Sequence, residues 1–290
     1  MIYRTKSRKV FEAMNYTFFI LFTLSIILPF LYVISLSLSS YEAINTGKVG
    51  LIPVGFSLAG YKNIIQNSEF IRALFNTIFI TAIDTILVIW IALMAGYALA
   101  NKNMPGKNII FNFILLPLYL NGGLIPYYLL VNSLKLKDSY LAIIFPIITN
   151  VFYIIVYRNS IVNLPHDIIE SAEIDGAGEY RILYSIVLPL LLPMTMAFII
   201  FSAVAYWNEW YNVLLFISSR KKWTLQYKLR DILATNDLTE NSMKIRITGG
   251  VHPKNIRMAA LMVTVLPIVT IYPFLQKYFI HGIIVGAVKG

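Results

Sequence analysis

The sequence predicts an all-α membrane protein with about six transmembrane helices, and three observations carry that expectation. The chain has 290 residues, of which 58% are hydrophobic and only 13% are charged. A soluble domain of this size carries roughly a quarter charged residues. Mean hydropathy is +0.70, so the missing charge must be matched by a solvent that tolerates bare apolar surface. A bilayer is that solvent. Finally, the apolar residues fall into about six runs, each near the ~20 residues that one crossing needs.

The runs cover Tyr16–Leu38, Ala73–Ala100, Ile109–Val131, Tyr140–Tyr157, Ile186–Ile217 and Met258–Ile280. The second and fifth are longer than one crossing and are expected to tilt, kink or project into water. Pro29, Pro117, Pro146, Pro189, Pro193 and Pro267 lie within or at the ends of runs, where neighbouring helices can compensate the lost backbone bond. No internal repeat or low-complexity linker divides the chain.

Arg4, Lys6, Arg8 and Lys9 precede the first run. A secretory signal also opens on basic residues, but this run is too long for a signal's apolar core. Leu38 leads into Ser39-Ser40-Tyr41-Glu42 with no small-residue cleavage pattern. A retained helix with a cytoplasmic N-terminus is expected. The excess of Lys and Arg in cytoplasmic loops then places Lys102–Lys107 and Arg158–Arg181 inside, and an even number of spans returns the C-terminus to the cytoplasm. One loop conflicts. Arg220–Arg257 holds nine basic and three acidic residues, a difference of +6, yet this topology puts it outside.

The net charge of +10 would suit a nucleic-acid partner if it formed one basic module. It is scattered between apolar runs, so no nucleic-acid partner is expected. With no cysteine there is no disulfide framework and no thiolate metal site. His166, His252 and His281 are too far apart in sequence to suggest a ligand cluster, so no metal is expected.

The most informative stretch lies between the fourth and fifth runs. It reads Leu164-Pro165-His166-Asp167-Ile168-Ile169-Glu170-Ser171-Ala172-Glu173-Ile174-Asp175-Gly176-Ala177-Gly178, and continues through Glu179-Tyr180-Arg181 to Ile186-Val187-Leu188-Pro189. Pro165 suits the first turn of a helix, where its missing N–H costs nothing. Asp167 and Glu170 favour the positive end of the helix dipole. Gly176 can supply the left-handed residue that ends the helix. The prediction is a polar helix–turn–helix whose small residues, Ser171, Ala172, Ala177 and Gly178, allow close approach by a partner. A plain solvated connector would look much the same, and the physics alone leaves both readings open.

This stretch resembles the EAA loop of bacterial ABC-importer permeases. Glu170, Ala172, Gly176, Ile186, Leu188 and Pro189 match its defining positions, and Ser171 stands where an alanine is usual, a small-for-small change. In that family the loop forms a coupling helix that docks into a cleft on the ATPase subunit. The resemblance implies that Glu170, Ser171, Ala172, Asp175, Gly176 and Ala177 form the ATPase-coupling element, with Gly176 permitting the bend. Ala95-Gly96-Tyr97-Ala98-Leu99-Ala100, followed by Pro105-Gly106, is similar to the end of the second span in maltose-permease-like proteins. Asn121-Gly122-Gly123-Leu124-Ile125-Pro126-Tyr127 resembles a branch associated with complex and often acidic oligosaccharides. Tyr272-Pro273-Phe274-Leu275-Gln276-Lys277-Tyr278-Phe279, with Gly282 and Gly286-Ala287-Val288-Lys289-Gly290, looks like that branch's C-terminus. In maltose-type relatives this tail reaches into the ATPase dimer, which implies contacts there for Lys289 and Gly290.

The resemblance covers nearly the whole chain. It implies a cytoplasmic segment at 1–15, a permease domain at 16–280 and a cytoplasmic tail at 281–290. The coupling loop falls at about 161–185 and an external loop at about 218–257. The expected partners are a second homologous permease, two ATPase subunits, an extracellular or periplasmic solute-binding protein, an oligosaccharide and membrane lipids. The expected place is the bacterial cytoplasmic (inner) membrane. ATP and magnesium belong to the ATPase subunits, and this chain needs no cofactor of its own. A phosphate-binding loop requires Gly-Lys followed by Ser or Thr. Here Gly47-Lys48 precedes Val49 and Gly106-Lys107 precedes Asn108. No nucleophile–base constellation stands out, so the chain is read as a non-enzyme.

Two polar groups inside the runs are candidates for the substrate pathway. Asp84 sits in the middle of the second run, where a lone carboxylate is costly and should face the bundle or a wet cavity. Substrate contact is one reading; a serine, tyrosine or amide partner on a neighbouring helix is the other, and the one expected. Trp207-Asn208-Glu209-Trp210-Tyr211-Asn212 mixes aromatic and polar groups in the way a sugar pocket does. An interfacial aromatic belt explains the same residues. For the chain as a whole, a secondary transporter driven by an ion gradient is the competing class. Such proteins often show repeated halves, and none is visible here. A purely structural or assembly role in the membrane is a third reading.

Overall fold

The computed structural model describes residues 6–120, 122–234 and 251–287, with side chains for all of these except 6, 166 and 271–287. Among the described residues every regular element is helical. The first helices are α1 (Lys6–Ser37), α2 (Tyr41–Asn45), α3 (Ala59–Gln66) and α4 (Ser68–Ala100). Then come α5 (Lys107–Tyr119), α6 (Leu124–Ser133), α7 (Leu141–Ile144), α8 (Val151–Val162) and α9 (His166–Ile174). The chain continues through α10 (Glu179–Ile182), a π-helical turn at Leu183–Val187, α11 (Leu188–Leu190), α12 (Leu192–Trp207) and α13 (Tyr211–Phe216). It closes with α14 (Leu225–Ala234) and α15 (Pro253–Ala287).

Two helices, Ser7–Ser37 and Ser68–Ala100, are unbroken and long and apolar enough to cross a membrane. The count among the described residues rises to five when each of three bent helix pairs is taken as one span. The third, fourth and fifth runs are therefore not single helices, as expected from their apolar length, but interrupted ones. Each interruption has a local cause. Gly123, at φ +77°, separates α5 from α6 in a conformation that other residues adopt with difficulty. Asn150 starts α8 by accepting a hydrogen bond from the Tyr153 N–H at 3.2 Å, and the helices on its two sides meet at 42°. The fifth run turns by 84° between Glu179–Leu190 and Leu192–Trp207. Pro193 has no N–H for the Pro189 carbonyl, and its ring would clash there, so the helix restarts at Leu192. Helix α1 also begins before Tyr16, and α15 begins before Met258 and continues past Ile280.

The chain divides into two compact units, Met1–Ile71 with Leu229–Leu266, and Arg72–Lys228 with Pro267–Gly290. In the first, α1 is apolar on all sides and exposed along most of its length, from Val10 to Tyr32. Only its last turn is buried, and Asn255 holds it. The Asn255 amide donates to the Leu36, Ser37 and Ser39 carbonyls, each at 3.0 Å. The Leu36 and Ser37 oxygens end α1 and have no partner within it, and Ser39 follows two residues later. Gly60 leaves room for the clamp: a Cβ there would lie 1.8 Å from Asn255 Oδ1.

The second unit is built around α4. Val88, Ile89, Ala92, Leu93 and Leu99 form one apolar stripe of that helix. They share a core with Tyr153, Ile154, Tyr157 and Ile161 of α8 and with Ile182, Leu183 and Val187 beyond the coupling segment. Gly96 sits at the closest approach of α4 to α8. A Cβ there would lie 2.6 Å from Tyr157 Cβ and 3.0 Å from the Arg158 nitrogen, so any side chain would force the helices apart. Helix α8 is fixed to α12 by stacking of Tyr153 on Phe198, with centroids 4.1 Å apart, and by the Tyr157 hydroxyl bonding Thr195 Oγ1 at 3.0 Å.

Candidate functional site

The polar segment between the fourth and fifth runs folds as two helices and a sharp turn. Pro165 caps α9 from just outside, one position earlier than expected. Helix α9 has an inner and an outer face. Ala172 is buried in the core around α4, and Ile169 and Ala177 pack beside it. Glu170, Ser171, Asp175 and Gly176 are exposed, with Ser171 Oγ bonded back to the Asp167 carbonyl. Ile174 is 80% exposed and Tyr180 70% exposed.

The turn that ends α9 has a complete set of backbone bonds. The Ala177 N–H reaches the Ala172 carbonyl at 2.9 Å and the Gly176 N–H reaches Glu173 at 3.0 Å. With Gly176 at φ +77°, this is a Schellman stop. The chain leaves it through Gly178, whose carbonyl accepts from Arg181 and Ile182 to start α10. The result is a rigidly terminated helix with an acidic and apolar outer face. Two further bonds tie the outgoing arm to α4. The Tyr97 hydroxyl donates to Glu179 Oε2, and Trp90 Nε1 donates to the Tyr184 hydroxyl.

The second candidate group forms a break in the fifth run. Helix α12 ends at Trp207, and α13 begins at Tyr211. The polar side chains between them largely serve this break. Asn208 Nδ2 donates to the Val204 carbonyl at 2.8 Å, and Asn208 Oδ1 accepts from Gln226 at 2.8 Å. Glu209 Oε1 accepts from the Asn212 N–H at 2.8 Å, and Asn212 Oδ1 accepts from the Tyr127 hydroxyl at 2.7 Å. Asn208 is exposed, whereas Glu209 and Trp210 are half-buried. Trp207 departs from the expected polar pocket. It lines an apolar cleft of about 650 Å³ with Leu74, Ile78, Ile200, Val204 and Pro267.

Asp84 is fully buried, and neither carboxylate oxygen has a hydrogen-bond partner. The expected serine, tyrosine or amide partner is therefore not found among the described residues. Thr81, one turn before, and the adjacent Thr85 also have buried hydroxyl oxygens with no hydrogen-bond partner among the described residues. Tyr206 and Glu209 lie within electrostatic range of Asp84, which brings the two sequence candidates into one neighbourhood.

The basic segment after the fifth run is anchored at its start. Asn76 donates to the Lys221 and Trp223 carbonyls at 2.9 and 3.0 Å, and Thr77 Oγ1 accepts from the Leu225 N–H at 2.7 Å. Asp138, in a left-handed conformation at φ +53°, receives the Ser218 and Ser219 N–H groups at 3.1 and 2.9 Å and pairs with Lys222 at 3.4 Å. The Ser219 N–H above all, with Lys222, holds its carboxyl below the usual range. Arg220 and Lys221 are exposed. Lys228 is buried, with its ammonium 5.5 Å from the Trp223 ring centroid. Lys244, Arg246, Lys289 and Gly290 lie outside the described residues.

Sequence reasoning singled out the coupling segment but missed Tyr97 and Glu179 as a pair, the Asn255 clamp and the Asp138 anchor. Each joins residues more than 75 positions apart, so only the fold brings them together.

Comparison with known proteins agrees with this architecture. Residues 52–285 match the family model described as binding-protein-dependent transport system inner membrane component. Protein LplC of Bacillus subtilis (strain 168) is 35% identical over 289 residues, covering 100% of this chain and 98% of LplC. The polygalacturonan/rhamnogalacturonan transport system permease protein YtcP of the same organism is 34% identical, covering 97% of this chain and 99% of YtcP. A crystal structure of a bacterial ABC transporter involved in import of the acidic polysaccharide alginate contains a chain with a TM-score of 0.91 and 25% identity, covering 96% of this chain and 100% of that one. With its helical membrane architecture, the chain belongs to the family of binding-protein-dependent transport system inner membrane components, as a transport permease subunit and not an enzyme.

Proposed function

We propose that this chain is one of two different permease subunits of an ABC importer that takes up acidic oligosaccharides. The observation that carries the coupling part of this reading is α9, an exposed acidic helix with a rigid glycine stop in a chain of this family. In the proposed mechanism α9 docks on an ATPase subunit through Glu170, Ser171, Asp175 and Gly176, while Ala172 and Ala177 seat it on the permease. ATP-driven closure of two ATPases shifts α9 and opens the cavity outward. A solute-binding protein then delivers the sugar, and Asp84 with the Trp207–Trp210 break borders the path. Tail residues Lys289 and Gly290 reach the ATPases. Both termini face the cytoplasm, on the side of Lys102, Lys107 and the coupling loop.

The external address of Arg220–Lys222 gains support from the engagement of two of the three. Lys222 is neutralised by Asp138, and Arg220 lies 5.6 Å from the Trp223 ring centroid. The acidic substrate class is supported by relatives named for polygalacturonan, rhamnogalacturonan and alginate transport, and by the basic balance of 220–257. Contact with anionic lipid or with an acidic face of the binding protein is the competing use of those charges.

The test is uptake of oligogalacturonate and of a neutral oligosaccharide by the reconstituted transporter at low and high ionic strength. Arg220, Lys221 and Arg230 are neutralised, since they are exposed where Lys228 is not. Selective loss of acidic uptake with binding-protein docking intact supports the substrate reading. Equal loss for both sugars, or loss of docking alone, rejects it.

A further inference from the structure

The arm that leaves the coupling loop is mechanically weak by itself. Helix α10 has four residues, the π-helical turn at Leu183–Val187 follows, and α11 has three. A π turn is a wide, adjustable piece of helix, frequent where function requires movement. Pushed at α9, such an arm would twist and dissipate the displacement. Two side-chain bonds oppose that. Tyr97 donates to Glu179 at the first residue of α10, and Trp90 donates to Tyr184 inside the π turn. Trp90 and Tyr97 are seven residues apart, two turns along one face of α4 and roughly 10 Å apart. Two points of attachment fix the angle of the arm as well as its position. Gly96, between them in sequence, holds the incoming helix α8 against the same stretch of α4. Glu173 of α9 also lies within electrostatic range of Tyr97.

We propose that Tyr97 and Trp90 are positioning residues that latch α4 to the outgoing arm, so that displacement of α9 reaches the membrane as rigid motion of α4. The inference rests on the reading of α9 as the ATPase-docking element. It gives a task to the Ala95–Ala100 motif, which docking alone leaves without one. Both rings are only partly covered by this chain, so removing a hydroxyl or an indole N–H leaves the packed core in place.

The chain has no cysteine, so within it spin labels go where they are introduced, and the partner subunits are used in cysteine-free form. Labels at Glu173→Cys on α9 and Ile86→Cys on α4 report their separation in the full transporter, nucleotide-free and trapped with ATP and vanadate. This readout needs no knowledge of the sugar. With the latch intact the distance distribution is the same in both states. In Tyr97→Phe and in Glu179→Ala it shifts or broadens on trapping, and the double variant shows no more than either single change. Glu179→Gln, which still accepts a hydrogen bond, restores the invariant distribution. ATP turnover per unit of substrate moved rises by roughly threefold to tenfold in the broken variants, the range that the net contribution of one ordinary hydrogen bond spans. An unchanged distribution in Tyr97→Phe, additive effects in the double variant, or a Gln variant as poor as Ala overturns the latch. Docking is read separately by ATPase-subunit association with Glu170→Lys, and retention there refutes the docking reading without touching the distance measurement.

Discussion

Replacing Gly176 by valine isolates the backbone requirement of the coupling turn. A Cβ added at this position meets nothing within 4 Å, so no clash contributes. The cost is conformational: φ +77° is left-handed, and a β-branched residue there costs about 1–3 kcal/mol. A membrane domain with stability of order 5–15 kcal/mol survives that loss. The turn does not survive unchanged, since relief requires giving up the Ala177–Ala172 and Gly176–Glu173 bonds that stop α9. Asparagine tolerates the left-handed region far better and serves as the control. In the complete transporter, Gly176→Val should insert at normal yield yet lose substrate-stimulated ATP hydrolysis by about tenfold, the rate equivalent of ~1.4 kcal/mol. Gly176→Asn should retain most of it. Equal activity of the two variants, or undiminished stimulation in Gly176→Val, would refute the claim that left-handed geometry at this residue sets the coupling helix.

Gly96→Leu should separate α4 from α8 and destabilise the protein by about 1–3 kcal/mol through overpacking, read as a lower midpoint in a thermal-stability assay in detergent. Asn255→Leu removes three hydrogen bonds and leaves buried carbonyls at the end of α1, a loss of about 2 kcal/mol or more; a stability equal to the parent would mean that the clamp is incidental. Asp138 has a lowered pKa in the folded state, so its stabilising effect is present above the ordinary aspartate value of about 4 and disappears as pH falls through the lower folded value. Thermal stability measured against pH should therefore fall less steeply below about pH 4 in Asp138→Asn than in the parent.

Apolar length made the helical class and the approximate number of spans legible, because a bilayer imposes a length that periodicity alone does not. The breaks were legible only in part. Gly123 and Pro193 were visible as residues, yet a proline inside a span can be absorbed by neighbours, and nothing local says that Pro193 turns the chain by 84° while Pro29 lies within a continuous α1. The left-handed stop at Gly176 was readable, since its cause is local. Asp84 was readable as costly but not as lacking a hydrogen-bond partner among the described residues, because a partner is a property of packing. The basic segment misled about Lys228: charge is written in sequence, whereas its burial beside Trp223 is not.

Helix α12 has 16 residues and is therefore about 24 Å long. The hydrocarbon layer is about 30 Å thick. A crossing made by this helix alone ends several ångströms short of the opposite headgroups, and the backbone that follows is irregular at Asn208–Trp210. Lipid tails cannot satisfy such backbone, which persists at that depth only where protein covers it or water reaches it. Protein supplies part of that cover, since the Asn208 and Glu209 N–H groups bond back to α12 and Thr224 Oγ1 donates to the Glu209 carbonyl at 2.8 Å; at the exposed Asn208 the bilayer thins toward this helix or yields to an aqueous vestibule. Lipids of different chain length should therefore tune this transporter, with thicker bilayers burying the break more deeply and slowing it.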